Sequence, residues 1–233
     1  MAWYYKNFLK VDVAMVSAAP MDRHGYFNLS GALGVSKAII DRADTVIIEV
    51  NEAMPRICGG QDEVVHISQV DRIVEAGYRP LWEMKSPPPT ETDMKIAQFV
   101  FPHIRDGATV QLGIGGMPNT IGAMIAQSDL KDLSVHTEMY VDGFVDMAAA
   151  GKITGRHKAL DKGRQVFAFA AGSQKLYDYV DRNPDVMGAP VDYTNDVRVI
   201  AQIDNFISIN NAIDMDLFGQ INRQGQTILM VTH

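Results

Sequence analysis

The chain has 233 residues, of which 47% are hydrophobic, so it can form one large domain or two of ordinary size. Its formal net charge of −7 argues against nucleic-acid binding, and its apolar runs are too short for a membrane helix. Cys58 is the one cysteine and cannot form an internal disulfide, and the N-terminus lacks a signal-peptide pattern. We therefore expect a cytoplasmic protein that binds neither nucleic acid nor membrane.

The first part of the chain alternates between strand and helix patterns. The pattern predicts strands over 11–19, 24–31 and 45–51 and a helix over 35–43. EMKSPPPTETD (83–93) follows, and its three consecutive prolines disfavour helix and strand and favour an extended connector. We therefore predict a first domain over 1–86, a linker over 87–93 and a second domain over 94–233.

The second part shows the same alternation more regularly. It begins with a predicted helix over 94–107 that is bent or interrupted at Pro102. Further strands are predicted over 108–115, 133–140, 165–172 and 206–210, and further helices over 119–128, 145–151 and 173–183. The alternation predicts an α/β fold with open, mainly parallel twisted sheets and flanking helices in two lobes. Ligands of such sheets bind beyond the carboxyl ends of the strands.

The segment GIGGMPN (113–119) follows a predicted strand and opens a predicted helix. Its glycines allow a tight turn and close approach to a ligand, Pro118 suits a first helical turn, and helix N-termini attract anions. A dinucleotide fingerprint fits poorly, because Pro118 stands where the third glycine belongs. A phosphate cradle of another kind, an oxyanion site and a simple tight turn all remain open interpretations.

Glu138 ends the strand that follows this glycine segment. Along the strand, Ser134, His136 and Glu138 share one face, and that face is polar. A solvated carboxylate at a sheet edge is therefore one interpretation. The other rests on position, since Glu138 and the glycine segment would open on one crevice of a parallel sheet. A carboxylate beside backbone donors is a nucleophile beside an oxyanion hole.

Other catalytic classes fit the sequence less well. His24 and His66 have no cysteine or carboxylate at zinc spacing, so we expect no metal site. The chain has no G-x-S-x-G motif, and Cys58 has no base candidate nearby in sequence. A serine or cysteine hydrolase is therefore disfavoured.

Several segments together resemble the acetyl-CoA hydrolase/transferase family, nearest its branch of 4-hydroxybutyrate and butyrate:acetate CoA-transferases. They are VSAAPMDRHGYFNLS, IIEVNEAMPR, QLGIGGMPN, VHTEMYVDGFVDM, AGSQKLYDYVDRNP and PVDYTND. The resemblance runs from about residue 9 to residue 220, and INRQGQTILMVTH (221–233) does not continue it. Members of this family are roughly twice this long, so we expect a partial chain that lacks N-terminal and C-terminal portions.

The resemblance implies a CoA-transferase-like fold and a ping-pong reaction through a glutamyl-CoA thioester on Glu138. It implies no tightly bound cofactor, with coenzyme A or acyl-CoA and a short-chain carboxylate as substrates, and a possible homo-oligomer or complementing subunit. An acetyl-CoA hydrolase with the same glutamate and a non-catalytic CoA-binding or partner-binding fragment remain alternatives. The resemblance places CoA binding on Gly115, Gly116, Met117, Pro118 and Asn119. We also expect Tyr140, His136 and Asn119 to line the acyl pocket.

Overall fold

The structure is a computed structural model that describes residues 2–84, 88–212, 214–223 and 226–228. Its helices are α1 (Ala2–Asn7), α2 (Ser36–Ile40), α3 (Glu91–Val100), α4 (Gly116–Gln127), α5 (Asp142–Ala149), α6 (Gln174–Val180), α7 (Val191–Thr194) and α8 (Val197–Ile200). Its strands are β1 (Val11–Ala18), β2 (Tyr26–Asn28), β3 (Ala43–Asn51), β4 (Val64–His66), β5 (Arg72–Gly77), β6 (Thr109–Leu112), β7 (Ser134–Tyr140), β8 (Gln165–Ala170), β9 (Val186–Gly188), β10 (Phe206–Ile209), β11 (Asp214–Met215), β12 (Ile221–Arg223) and β13 (Gln226–Ile228).

The first half forms a three-stranded parallel sheet in the order β1-β3-β5. Its strands alternate between two faces, and on one of them Ala14, Val46 and Ile48 are buried. Helix α2 and the antiparallel strand pair β2–β4 cover this face, adding Ile40 and Phe27 to the same apolar cluster.

The second half forms a five-stranded parallel sheet in the order β10-β6-β7-β8-β9. Strand β7, which carries Glu138, is therefore the central strand. Val110, Val135 and Phe167 are fully buried, as expected for parallel strands covered on both faces. The predicted α/β fold with mainly parallel sheets and flanking helices is confirmed.

Some element boundaries differ from the predicted ones for local reasons. Helix α4 begins at Gly116, three residues earlier than predicted, because Gly115 (φ 124°) ends the loop and Pro118 fits the first turn. Helix α3 ends at Val100 and Pro102 lies in a 3₁₀ turn, so the predicted interruption is found. The pattern analysis missed the short or exposed elements, which are α1, β4, β5, β9, α7, α8, β11, β12 and β13.

Loops of the first half lie directly on the second sheet. The Ala170 amide donates to the Gly31 carbonyl at 2.9 Å, and the Gly188 amide donates to the Cys58 carbonyl at 2.9 Å.

The predicted boundary at residues 86 and 87 lies outside the described residues, and the division into two domains stays a prediction. Among the described residues, no helix is long and apolar enough to cross a membrane.

Candidate active site

A cavity of about 480 Å³ opens at the carboxyl ends of β6, β7 and β10. It lies where ligands of parallel α/β sheets bind. Strands β6 and β7 follow one another in the chain and pair side by side in the sheet. The start of the glycine segment after β6 and Glu138 on β7 therefore both line this cavity, as the sequence predicted. The lining residues are Gln111, Leu112, Gly113, Ile114, His136, Glu138, Met139, Phe169, Thr194, Asn195, Ile200, Phe206, Ser208 and Asn210.

Glu138 is exposed to the cavity and has a defined hydrogen-bond partner. The Asn195 Nδ2 atom donates to Glu138 Oε2 at 2.6 Å. The Thr194 hydroxyl in turn donates to Asn195 Oδ1 at 3.1 Å, which orients the amide with its nitrogen toward the carboxylate. One oxygen of the candidate nucleophile is thus held by a neutral donor.

Strand β7, which carries Glu138, lies inside the sheet and not at a solvated edge. Ser134 and His136 are 0% and 1% exposed, so the polar face is buried up to Glu138. The interpretation of Glu138 as a residue of a sheet edge is therefore wrong, although its carboxylate itself is exposed. Because β7 is central and packed on both sides, the carboxylate projects from a rigid part of the fold.

His136 lies beside Glu138 on β7 and is neutral near pH 7. Burial lowers the pKa of His136 to about 4, and the positive charge of Lys158 adds to this shift. His136 Nε2 lies 2.9 Å from the Thr194 carbonyl oxygen, which can only accept, so Nε2 carries the ring proton. His136 therefore contributes a polar but uncharged wall to the cavity.

At three positions of the glycine segment, a side chain would displace a neighbour or require an unfavourable backbone conformation. A Cβ atom on Gly113 would lie 2.5 Å from Asn210 Oδ1, and one on Gly116 would lie 2.6 Å from Asp93 Oδ2. Gly115 has a φ of 124°, a conformation that other residues rarely adopt. Glycine therefore suits the packing of this segment at Gly113 and Gly116 and its turn at Gly115.

The structure separates the residues predicted to bind CoA from those that line the cavity. Gly113 and Ile114 lie beside Glu138 in the lining, whereas residues 115–119 are not part of it. Met117 and Pro118 are buried in the core beneath the loop, so only their backbone could contact a ligand.

Tyr140 and Asn119 do not line the cavity, so the expectation for these two residues is wrong, whereas His136 does line it. Glu138 and Met139 both line the cavity, whereas Tyr140 is fully buried against Phe144 and Phe167. The Thr137 hydroxyl donates to the Met139 carbonyl at 2.9 Å within this stretch.

Sequence reasoning missed the part of the site that comes from distant segments. Asn195 lies 57 residues after Glu138, just beyond α7, in the segment PVDYTND, which belongs to the family resemblance but was given no role. On the opposite wall, Asn210 Nδ2 donates to Gln111 Oε1 at 2.8 Å and to Ser208 Oγ at 2.9 Å. Only the pairing of β10 with β6 brings these side chains together.

Known sequences identify the family. Residues 1–80 match the acetyl-CoA hydrolase/transferase N-terminal domain, and residues 172–232 match the acetyl-CoA hydrolase/transferase C-terminal domain. A butyryl-CoA:acetate CoA-transferase from Anaerostipes caccae is 54% identical over 231 residues, which is 98% of this chain and 52% of that protein.

The chain belongs to the acetyl-CoA hydrolase/transferase family.

Solved structures agree with this membership. RipA from Yersinia pestis superposes with a TM-score of 0.90 at 38% identity, over 96% of this chain and 51% of that one. A 4-hydroxybutyrate CoA-transferase from Porphyromonas gingivalis superposes with a TM-score of 0.88 at 36% identity, over 95% of this chain and 56% of that one. The predicted CoA-transferase-like fold is confirmed by these neighbours.

The extent of the family matches corrects one expectation and confirms another. The C-terminal-domain match runs to residue 232, so the expectation that the family pattern stops at residue 220 is wrong. The chain spans about half the length of the relatives it matches, as the resemblance implied.

Proposed function

We propose that this chain carries the nucleophile of a CoA-transferase, which moves CoA between a short-chain acyl-CoA and a carboxylic acid. The observation that carries the proposal is the position of Glu138. It projects from the carboxyl end of a central strand into a cavity and lies beside the glycine segment with one oxygen held by Asn195. The names of the relatives support the same chemistry.

In the proposed reaction Glu138 attacks the carbonyl carbon of the acyl-CoA thioester. The C–S bond breaks, CoA leaves as its thiolate, and an acyl-glutamyl anhydride remains. The thiolate then attacks the glutamyl carbonyl of the anhydride, releasing the first carboxylate and forming a glutamyl-CoA thioester. The second carboxylate repeats these steps in reverse and leaves as the new acyl-CoA. The thioester free energy is kept in covalent intermediates throughout.

Asn195 and the glycine segment have separate tasks in this proposal. Asn195 orients one oxygen of Glu138 so that the other can attack. Backbone amides at the start of α4 stabilise negative charge on the thioester oxygen, since the first amides of a helix have no partner within it. Asp93 lies against Gly116, which makes this position less suitable for a fully charged phosphate. We therefore assign residues 115–119 to the thioester end of CoA.

The cavity wall favours an uncharged acyl group. Among the described residues that line it, none is lysine or arginine, and His136 is neutral near pH 7. Apolar side chains from Ile114, Met139, Phe169, Ile200 and Phe206 surround much of the space. A second carboxylate on the acyl chain would lose its hydration without gaining a cation there. Acetyl, butyryl and 4-hydroxybutyryl groups fit this wall.

Mass spectrometry after incubation with butyryl-CoA and reduction with borohydride tests the proposal. The expected result is a reduced residue at Glu138 in the wild type and none in Glu138→Gln, which keeps the shape of the side chain. A folded wild-type protein without modification at Glu138 would refute the covalent mechanism for this chain. If the thioester forms but acetate does not accelerate turnover of the CoA ester, the activity is that of a hydrolase.

The cellular location of the protein and its division into two domains are part of the same proposal. A cytoplasmic site suits a chain with one cysteine, because it needs no oxidising compartment to fold. Residues 1–86 then form part of a first CoA-transferase-like domain, and residues 94–233 form the second, which carries Glu138.

A further inference from the structure

Two side chains of β7 hold the same short segment of chain. His136 and Glu138 are two residues apart on the strand and therefore share one of its faces. The His136 Nε2 atom donates to the Thr194 carbonyl oxygen at 2.9 Å. Glu138 Oε2 accepts from the Asn195 Nδ2 atom at 2.6 Å. Thr194 and Asn195 are consecutive, so the two bonds close a ring that fixes the end of α7 against β7.

The other hydrogen bonds of this segment do not attach its end to β7. The amides of Thr194 and Asn195 donate only within the turn of α7 itself. The start of the helix is held elsewhere, by the Val191 amide, which donates to the Gly34 carbonyl at 2.9 Å. Among the described residues, His136 therefore supplies the one hydrogen bond from β7 to this segment besides the bond at the candidate nucleophile.

The imidazole ring that makes this bond is itself held in place. His136 is 1% exposed, and its ring centroid lies 6.1 Å from that of Tyr193 and 6.2 Å from that of Phe206. Its Nδ1 atom has no hydrogen-bond partner among the described residues, so the ring acts on its surroundings through Nε2. A donor whose orientation is fixed by packing can hold a functional group precisely.

We infer that His136 is a positioning residue for Glu138, which acts through the backbone of Thr194 and the side chain of Asn195. The inference rests on the proposed function, in which Glu138 is the nucleophile. Without the histidine, the Thr194 carbonyl loses its donor and the Asn195 amide is free to move away from the carboxylate. A displacement of about 1 Å in a positioning group can lower a rate by about 100-fold.

A double-mutant cycle tests this path. His136→Leu removes the donor and is measured in the wild type and in Asn195→Ala, with the rate of glutamyl-CoA thioester formation from butyryl-CoA as the readout. We expect His136→Leu to slow the wild type by about 10-fold and Asn195→Ala by less than about 2-fold, because the path is already broken there. An equal factor in both backgrounds, or no loss in the wild type, would overturn the inference.

Two further variants separate the lost donor from general damage to β7. His136→Gln keeps a neutral N–H donor at a similar reach, and we expect its rate to stay within about 3-fold of the wild type. Tyr140→Phe removes a buried hydrogen bond of the same strand away from the cavity, so its rate should stay within about 2-fold. A loss in either variant as large as that in His136→Leu would contradict the inference. If His136→Leu does not fold, His136→Asn replaces it, because its amide nitrogen is too short to reach Thr194.

A second readout does not depend on activity. In ¹⁵N NMR spectra, the side-chain amide of Asn195 is identified by its absence in Asn195→Ala. Its signal should differ from that of a solvated amide in the wild type and in His136→Gln, and should move to the solvated position in His136→Leu. An Asn195 signal that stays in place in His136→Leu would refute the role of the histidine. A folded wild type that forms no thioester would refute the proposed function instead, while the NMR comparison still decides the role of His136.

Discussion

At the level of single side chains, the candidate nucleophile depends on a short relay of neutral hydrogen bonds. Thr194 orients Asn195, and Asn195 holds one oxygen of Glu138. Both donors are neutral groups, so the relay fixes the position of the carboxylate without forming an ion pair. This arrangement suits a nucleophile that must remain able to attack.

Asn195→Ala should slow formation of the glutamyl-CoA thioester by about 10- to 100-fold, because Glu138 would lose its positioning bond. The rate of trapping by borohydride, followed by mass spectrometry, measures the effect. Thr194→Val keeps the amide and removes only the hydroxyl that orients it, so it should cause a smaller loss. Equal rates for Asn195→Ala and wild type would show that the bond has no role in catalysis.

The buried His136 makes stability depend on pH. Its pKa is about 4 in the folded protein, and an unperturbed histidine titrates near 6.5. Between these values the unfolded chain binds a proton that the folded chain does not, so the free energy of unfolding falls as pH falls. Lys158 and Asp161 act on His136 with opposite signs, and burial is the larger cause.

We therefore expect wild type to lose up to about 1 kcal/mol of stability per pH unit from this group between pH 6.5 and 4. Urea unfolding at several pH values measures that slope. His136→Gln should remove this contribution, and the same change at the exposed His103 serves as control. An unchanged slope in His136→Gln would mean that other groups cause the pH dependence.

At the level of elements, a buried network of hydrogen bonds joins strands β7 and β8 to helix α6. The Tyr140 hydroxyl on β7 donates to Gln165 Oε1 on β8 at 2.6 Å, and Gln165 Nε2 donates to the Tyr179 hydroxyl on α6 at 2.8 Å. Tyr140 and Gln165 are both buried, so water cannot replace the hydrogen bond between them.

Tyr140→Phe should lower the free energy of unfolding by about 1–3 kcal/mol, because Gln165 Oε1 would be left buried without a donor. Denaturant unfolding measures this loss. Tyr179→Phe removes only an acceptor at a half-buried position and should cost less. The role assigned to this network fails if the two substitutions have equal effects.

Local patterns predicted the elements that build the site but not the contacts within it. The apolar runs that end at Leu112 and Tyr140 gave β6 and β7, and parallel pairing followed from the helices between them. Short elements such as β9 have too few residues for a period to show. The Asn195–Glu138 bond and the turn of Tyr140 away from the cavity depend on packing between distant segments, which no local pattern encodes.

At the level of the whole molecule, the two halves are joined by close backbone packing. Gly188 on β9 lies under Leu33 and Ile57 of the first half, and a Cβ atom there would lie 2.9 Å and 3.0 Å from their side chains. Backbone hydrogen bonds from β8 and β9 to loops of the first half reinforce the contact. The site on β7 is thus supported by a lobe that does not contribute to its lining.

Gly188→Val should lower the free energy of unfolding by about 1–3 kcal/mol, because the new side chain would push the two halves apart. Thermal and denaturant unfolding both report the change. Gly60→Val is the control, since a Cβ atom there would meet only the end of Met187 at an ordinary 3.5 Å. If both variants were equally stable, the contact at Gly188 would be looser than its geometry indicates.

The contact between the halves also includes the one sulfhydryl of the chain. The Cys58 carbonyl accepts the hydrogen bond from Gly188, and the side chain is partly accessible. A maleimide fluorophore would therefore attach at a single, known position without any engineered cysteine. Its emission would report in real time whether the two halves separate when an acyl-CoA binds.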